Sequence, residues 1–111
     1  MSVLADKIRK SRESQVQAGG FSFTIRRPTD MDMLEFNKVK TTAFLIKFVV
    51  GWDGVTELDL IPGGDGHPAH FDEEACAEWF ADRPDLMVPV VNAIVEAYQA
   101  HKAKVGEAEK K

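Results

Sequence analysis

Gln15-Val16-Gln17-Ala18-Gly19-Gly20-Phe21-Ser22-Phe23-Thr24-Ile25-Arg26 is the stretch that decides the fold. Apolar and polar residues alternate on both sides of the glycine pair, which is the period of a half-buried strand. The glycines can take the positive φ that a tight hairpin turn demands. The stretch therefore reads as one β-hairpin, with Phe21, Phe23 and Ile25 sharing a face and Pro28 ending the second strand. Two strands cannot bury such a face alone, so a helix must cover it.

Helical signals lie on both sides. Residues 2–12 read as a short helix capped by Ser2, with Asp6 near its first turn and Lys7, Arg9, Lys10 and Arg12 toward its end, as the helix dipole prefers. Val3, Leu4 and Ile8 give it only a narrow apolar stripe, so it is marginal unless it docks. After Pro28, Thr29 or Asp30 caps a helix to about Lys38 that carries Met33, Leu34 and Phe36. A third helix is expected from Thr42 to about Val50, with Phe44, Leu45, Phe48 and Val49 on one face and Gly51 as its stop. Residues 51–71 read as a glycine- and proline-rich loop anchored by Leu58, Leu60 and Ile61, a length that is uncommon and often functional.

Asp72 caps a further helix through about Ala81, whose apolar side is Cys76, Trp79 and Phe80. Pro84 is well placed to open the last helix, expected from about Asp85 to Ala103, with Leu86, Val90, Ile94 and Tyr98 four apart. Pro89 lacks an N–H and is expected to kink or delay that helix near its start. Residues 105–111 read as a flexible polar tail. The expected fold class is mainly α (α+β): a small helical domain with one N-terminal β-hairpin. It forms a single domain over residues 1–111, with an ordered core over about 13–103.

Composition narrows the function. With 111 residues, 44% hydrophobic and 29% charged, the chain suits one globular domain with a modest core. Its net charge of −4, from 18 acidic against 14 basic side chains, opposes broad binding to a phosphate backbone, so nucleic acid is a disfavoured partner. Cys76 is the single cysteine, which excludes an intramolecular disulfide. The N-terminal residues contain no apolar core of signal-peptide length. The longest apolar stretch, Ala43 to Trp52, is broken by Lys47 and too short to span a bilayer. The chain reads as cytoplasmic.

No reactive constellation stands out. His67 and His70, with Asp65 and Asp72 nearby, could in principle hold a divalent ion, but their spacing matches no closed site and a solvated loop is the simpler reading. Pro62-Gly63-Gly64-Asp65-Gly66 lacks the lysine and hydroxyl of a phosphate loop. Asp30, Asp32 and Asp53 do not fall in a calcium-loop register. Glu73, Glu74 and Glu78 surround Cys76 with negative charge, which opposes a reactive thiolate. No metal and no cofactor is expected, and no enzyme activity.

Lys7–Arg12 with Arg26-Arg27, beside Phe21 and Phe23, form the one basic concentration, and could serve a small nucleic-acid-binding regulator. The aromatic residues mostly belong to a core. Trp79, on a helix with Cys76 and Phe80, is expected there. Trp52, between Gly51 and Gly54 at the mouth of the loop, is the better candidate for an exposed anchor that touches a partner.

Several segments in order carry a family resemblance: Phe23-Thr-Ile-Arg-Arg-Pro-Thr-Asp30, Val49-Val-Gly-Trp-Asp-Gly-Val55, Asp59-Leu-Ile-Pro-Gly-Gly64, Glu78-Trp-Phe-Ala-Asp-Arg-Pro-Asp-Leu86 and Ala93-Ile-Val-Glu-Ala-Tyr98. Together they resemble the small tail assembly chaperones of tailed bacteriophages and prophages of proteobacteria, over roughly residues 11–103. Each segment alone is weakly specific, and Lys38–Thr42 carries no signature of that family. The resemblance implies a largely helical assembly factor of the host bacterial cytoplasm that is absent from the mature virion. Its implied partners are the tape measure protein, which it would keep soluble, the tail tube protein, which it would help recruit, and further copies of itself as a homo-oligomer. Gly51, Trp52, Gly54, Trp79, Arg83 and Pro84 lie within the matching segments. Phe48, Trp52, Leu58, Leu60, Trp79 and Arg83 are the expected partner-binding set. A structural tail or connector component is the alternative from the same setting.

Overall fold

The computed structural model describes the backbone of residues 2–109 and the side chains up to Gly106. Six helices and three strands follow in the order α1 (Val3–Ser11), β1 (Glu13–Ala18), β2 (Phe21–Arg26), α2 (Asp30–Val39), α3 (Thr42–Ile46), β3 (Val49–Asp53), α4 (Glu57–Leu60), α5 (Glu73–Asp82) and α6 (Pro84–Glu109). The fold is a small α+β domain in which helix predominates.

The hairpin forms as its alternation requires. β1 pairs antiparallel with β2 from Glu13 opposite Arg26 to Ala18 opposite Phe21. Gly19 and Gly20 make the turn at φ 58° and 85°. Gly19 has a second reason to be glycine, because a Cβ there would run into Leu86 Cδ2. Phe23 and Ile25 are fully buried, whereas Ser22 and Thr24 face outward. On that outer face Gln15 Nε2 donates to Thr24 Oγ1 at 2.8 Å, and Gln17 Nε2 to Ser22 Oγ at 3.0 Å.

Residues 49–53 depart from the expected helix end at Val49–Val50 and from the expected loop after it. Helix α3 stops at Ile46, and Val49–Asp53 becomes a third strand on the free edge of β2, with Phe23 opposite Trp52 and Thr24 opposite Gly51. Two β-branched residues and a tryptophan suit a pleated surface. The edge of β2 also offers backbone hydrogen bonds that a helix end would lack. The register then jumps to Ile25 opposite Val49, leaving Val50 as the extra residue of a bulge. Gly51 is thus a mid-strand residue rather than a helix stop.

The stretch expected to be an open loop is also more ordered. Thr56 caps the one-turn helix α4 in a reciprocal box with Asp59. Hydrogen bonds close the segment on itself: Glu57 N–H to His67 O, Leu58 N–H to Asp65 O, and Ala69 N–H to Val55 O. Gly64 fits because a Cβ would stand 2.9 Å from the Glu57 carbonyl oxygen.

Helix α6 opens at Pro84, with the Arg83 carbonyl accepting from Leu86 and Met87. Pro89 lies inside the helix and does not delay it. Both Pro89 and Asp85, whose carbonyl it leaves without an N–H, are exposed, so water can serve that oxygen. The helix continues to Glu109, beyond the expected end at Ala103; the last two residues of the expected tail lie outside the described residues. Leu86, Val90 and Ile94 are fully buried against the sheet. The core is completed by Leu45, Ile46, Phe48, Val49, Val55, Cys76 and Phe80. Helix α1 buries no residue, and leaves Val3 and Leu4 well exposed.

Candidate functional site

A groove runs between α4 and α5. Its volume is about 440 Å³, and it is open to solvent. Helix α5 contributes Ala75, Glu78, Trp79 and Asp82, which recur at helical spacing on one face. The α4 turn supplies Asp59, Leu60, Ile61 and Pro62 from the opposite side, and Arg83 closes one end. The capping box of Thr56 and Asp59 fixes where α4 stands, and the Asp72 side chain does the same for α5 by accepting from Ala75 N–H at 3.1 Å.

An aromatic stack supports this groove from below. Trp79 is only 6% exposed, and meets Phe21 edge-on at 5.1 Å and Trp52 edge-on at 5.9 Å between ring centroids. Trp52 in turn meets Phe71 edge-on at 5.1 Å, and its indole N–H donates to Ala69 O at 2.8 Å. These geometries match the quadrupole preference of aromatic pairs and hold Trp79 in place.

The rim is strongly acidic. Residues 53–85 carry ten carboxylates against one guanidinium, that of Arg83. Arg83 is itself committed: its Nε and Nη2 donate to the two Asp85 oxygens, each at 2.9 Å. That fork raises the Arg83 pKa and lowers that of Asp85. Asp59, Glu78 and Asp82 therefore set the charge of the groove. An apolar floor with a carboxylate rim suits an amphipathic helix bearing basic residues beside its apolar stripe.

The six residues expected to bind a partner divide in the structure. Leu60, Trp79 and Arg83 come together in the groove. Leu58 is 54% exposed on the same turn but lines no part of it. Phe48 is buried with its ring against Phe44 and belongs to the core. Trp52 is half-buried on β3 rather than displayed on a loop, because Ala69 and Phe71 fold back over it. Asp59, Ile61, Pro62, Glu78 and Asp82 also line the groove and were outside the expected partner-binding set. Glu78 and Asp82 flank Trp79 on α5 four residues apart, a pattern visible once that helix is drawn.

No family model matches this chain. No curated protein and no solved structure matches it either.

The thiol and histidine candidates stay apart from the groove. Burial, reinforced by Glu73, pushes the Cys76 thiol up to about 12, so it is held protonated. His67 pairs with Asp65 on an exposed turn. Among the described residues no group of three or more His, Cys, Asp or Glu side chains stands close enough to hold a metal ion. No helix among them is long and apolar enough to cross a membrane.

Proposed function

We propose that the chain is a tail assembly chaperone that holds the tape measure protein through the groove between α4 and α5. The observation that carries this reading is the groove itself: an open apolar trough floored by Trp79 and Leu60 and rimmed by Asp59, Glu78 and Asp82. A long amphipathic helix exposes an apolar stripe that aggregates in water unless another apolar surface shields it. A groove of this kind shields one or two helical turns, while its carboxylates select turns flanked by Lys or Arg. Several copies spaced along one partner would keep the whole helix soluble and leave their outer surfaces to recruit tail tube subunits. The site of action would be the host cytoplasm, before the virion is complete. The ordered set of segments resembling phage tail chaperones points the same way, and the groove draws on two of them, Asp59–Gly64 and Glu78–Leu86.

Co-expression with the tape measure protein tests the reading. The chain should raise the soluble fraction of that protein and co-purify with it. The double variant Glu78→Lys/Asp82→Lys, altered at exposed positions of α5, should fold normally and lose both effects. A partner that stays soluble and bound with the double variant would exclude the groove. A partner equally insoluble with and without the wild-type chain would exclude the chaperone role.

A further inference from the structure

A second cleft, of about 450 Å³, lies between the start of the hairpin and the later turns of α6. Arg12 and Arg27 line it from the hairpin side, and Ala97, Ala100, His101 and Lys104 from the helix. Arg12, the cap of α1, and Arg27 lie next to each other just outside the β1–β2 ladder. Glu13 pairs with Arg26 in the β1–β2 ladder, and Arg27 N–H donates to Arg12 O at 2.7 Å, adding one rung outside it.

Neither arginine has an ion-pair partner among the described residues. Arg12 Nε is buried without any hydrogen-bond partner, and Arg27 Nη1 reaches only the Pro28 carbonyl, at 3.0 Å. Two carboxylates stand nearby and both are engaged: Glu13, which itself lines the cleft, lies 3.7 Å from Arg26, and Asp30 accepts from Tyr98 and Lys102. A guanidinium without an ion-pair partner gains from a bound anion through charge-assisted hydrogen bonds.

The helix is shaped to leave this space. Val90 and Ile94 fill the sheet-facing side of α6. One turn later the same side carries Ala97, His101 and Lys104, at spacings of three and four. Small residues thus replace large ones where the two arginines arrive, and two further nitrogen bases join them. Ser11 and Ser14 add hydroxyls to the lining.

We propose that this cleft is a binding site for a phosphate dianion, carried by inorganic phosphate or by a small phosphate monoester. Two guanidinium groups, a lysine and a histidine line one cleft, a local concentration of positive charge that suits a terminal phosphate with two charges. A nucleic-acid backbone presents single charges spread along a line and needs a basic stripe. The groove of α4 and α5 shares no residue with this site, so the inference stands apart from the chaperone reading.

Inorganic phosphate is titrated into the full chain at ionic strength held constant with chloride. Melting temperature and backbone amide shifts are followed, and the titration is repeated with glycerol phosphate and with a short DNA duplex. Saturable shifts confined to the segments around Arg12, Arg27 and His101 are expected. They should accompany a rise in melting temperature of roughly 5–6 °C at ten times the dissociation constant. Arg27→Gln should abolish the phosphate-dependent rise. Lys104→Gln, at an exposed helical position, should weaken phosphate binding roughly fivefold without lowering the melting temperature in chloride. Inorganic phosphate alone separates the free anion from glycerol phosphate, which adds an organic body to the same charge. Linear, unsaturated shifts would overturn the proposal, as would unchanged phosphate affinity in Lys104→Gln. Binding of the duplex through these residues without any response to phosphate would overturn it as well.

Discussion

Replacing Trp52 with alanine separates a structural role from a partner-facing one. In the fold the indole is held by three contacts: its N–H bond to Ala69 O at 2.8 Å, and edge-on packing on Phe71 and on Trp79. The hydrogen bond is worth about 1 kcal/mol net. Each aromatic pair adds about 0.5–1.5 kcal/mol beyond the area it buries. Together with the lost burial of a half-covered ring, the truncation should cost about 3–4 kcal/mol, within the range of large-to-small aromatic substitutions. That is a large share of the roughly 5–15 kcal/mol that keeps a domain folded. It corresponds to a fall in melting temperature of roughly 12–15 °C for a chain of this size. Trp52→Phe keeps a ring against Phe71 and Trp79 but loses the N–H, so about 1–2 kcal/mol is expected. Urea unfolding followed by circular dichroism gives both values. A loss below about 0.5 kcal/mol for the alanine variant, with partner binding weakened, would show that the indole serves the surface and not the fold.

Three further outcomes follow from the same contacts. Gly19→Ala introduces a Cβ at positive φ that meets Leu86, and should destabilise the chain by about 1–3 kcal/mol in the same unfolding assay; an unchanged midpoint would contradict the turn geometry. Cys76, buried and with its thiol pushed up to about 12, should resist thiol reagents at neutral pH and label only as the chain unfolds. Its folded pKa lies above the unfolded one, so its contribution is intact below the ordinary thiol pKa and is lost as pH rises toward about 12; rapid labelling of the native protein would refute this burial. The Tyr98 hydroxyl, 2.7 Å from Asp30 and aided by Lys102, holds the Asp30 carboxyl below its ordinary value. The contribution of that bond is therefore present above the ordinary carboxylate range and lost as pH falls through the lowered value. In Tyr98→Phe the Asp30 titration, read by carboxyl carbon NMR, should move back up; no movement would mean that the hydroxyl is not its partner.

Local chemistry determined a good part of this molecule. The Gly19-Gly20 pair with its alternating flanks is sufficient for the hairpin, since turn and register are settled within twelve residues. Ser2, Thr29 and Asp72 cap the helices they precede, because a side-chain oxygen two or three residues from an unpaired N–H needs no tertiary help. Trp79 belongs to the core for a similar reason: its helix places it beside Cys76 and Phe80.

Strand β3 was decided elsewhere. Thr42–Trp52 is an apolar run whose period fits a helix face as well as a strand, and its hydrogen-bond partners, Ser22 to Ile25, lie more than twenty residues earlier. Only the assembled hairpin presents the open edge that makes the extended form the better one. Trp52 follows from that choice. Its neighbours Gly51 and Gly54 suggest exposure, while the residues that cover it, Ala69 and Phe71, arrive through the folded-back segment after α4. The groove is likewise tertiary, since Leu60 and Trp79 line one trough only after that segment closes. Sequence alone set the short-range turns and caps, where donor and acceptor are neighbours in the chain. Exposure and site geometry waited for the fold, because both depend on which distant segment arrives to cover a side chain.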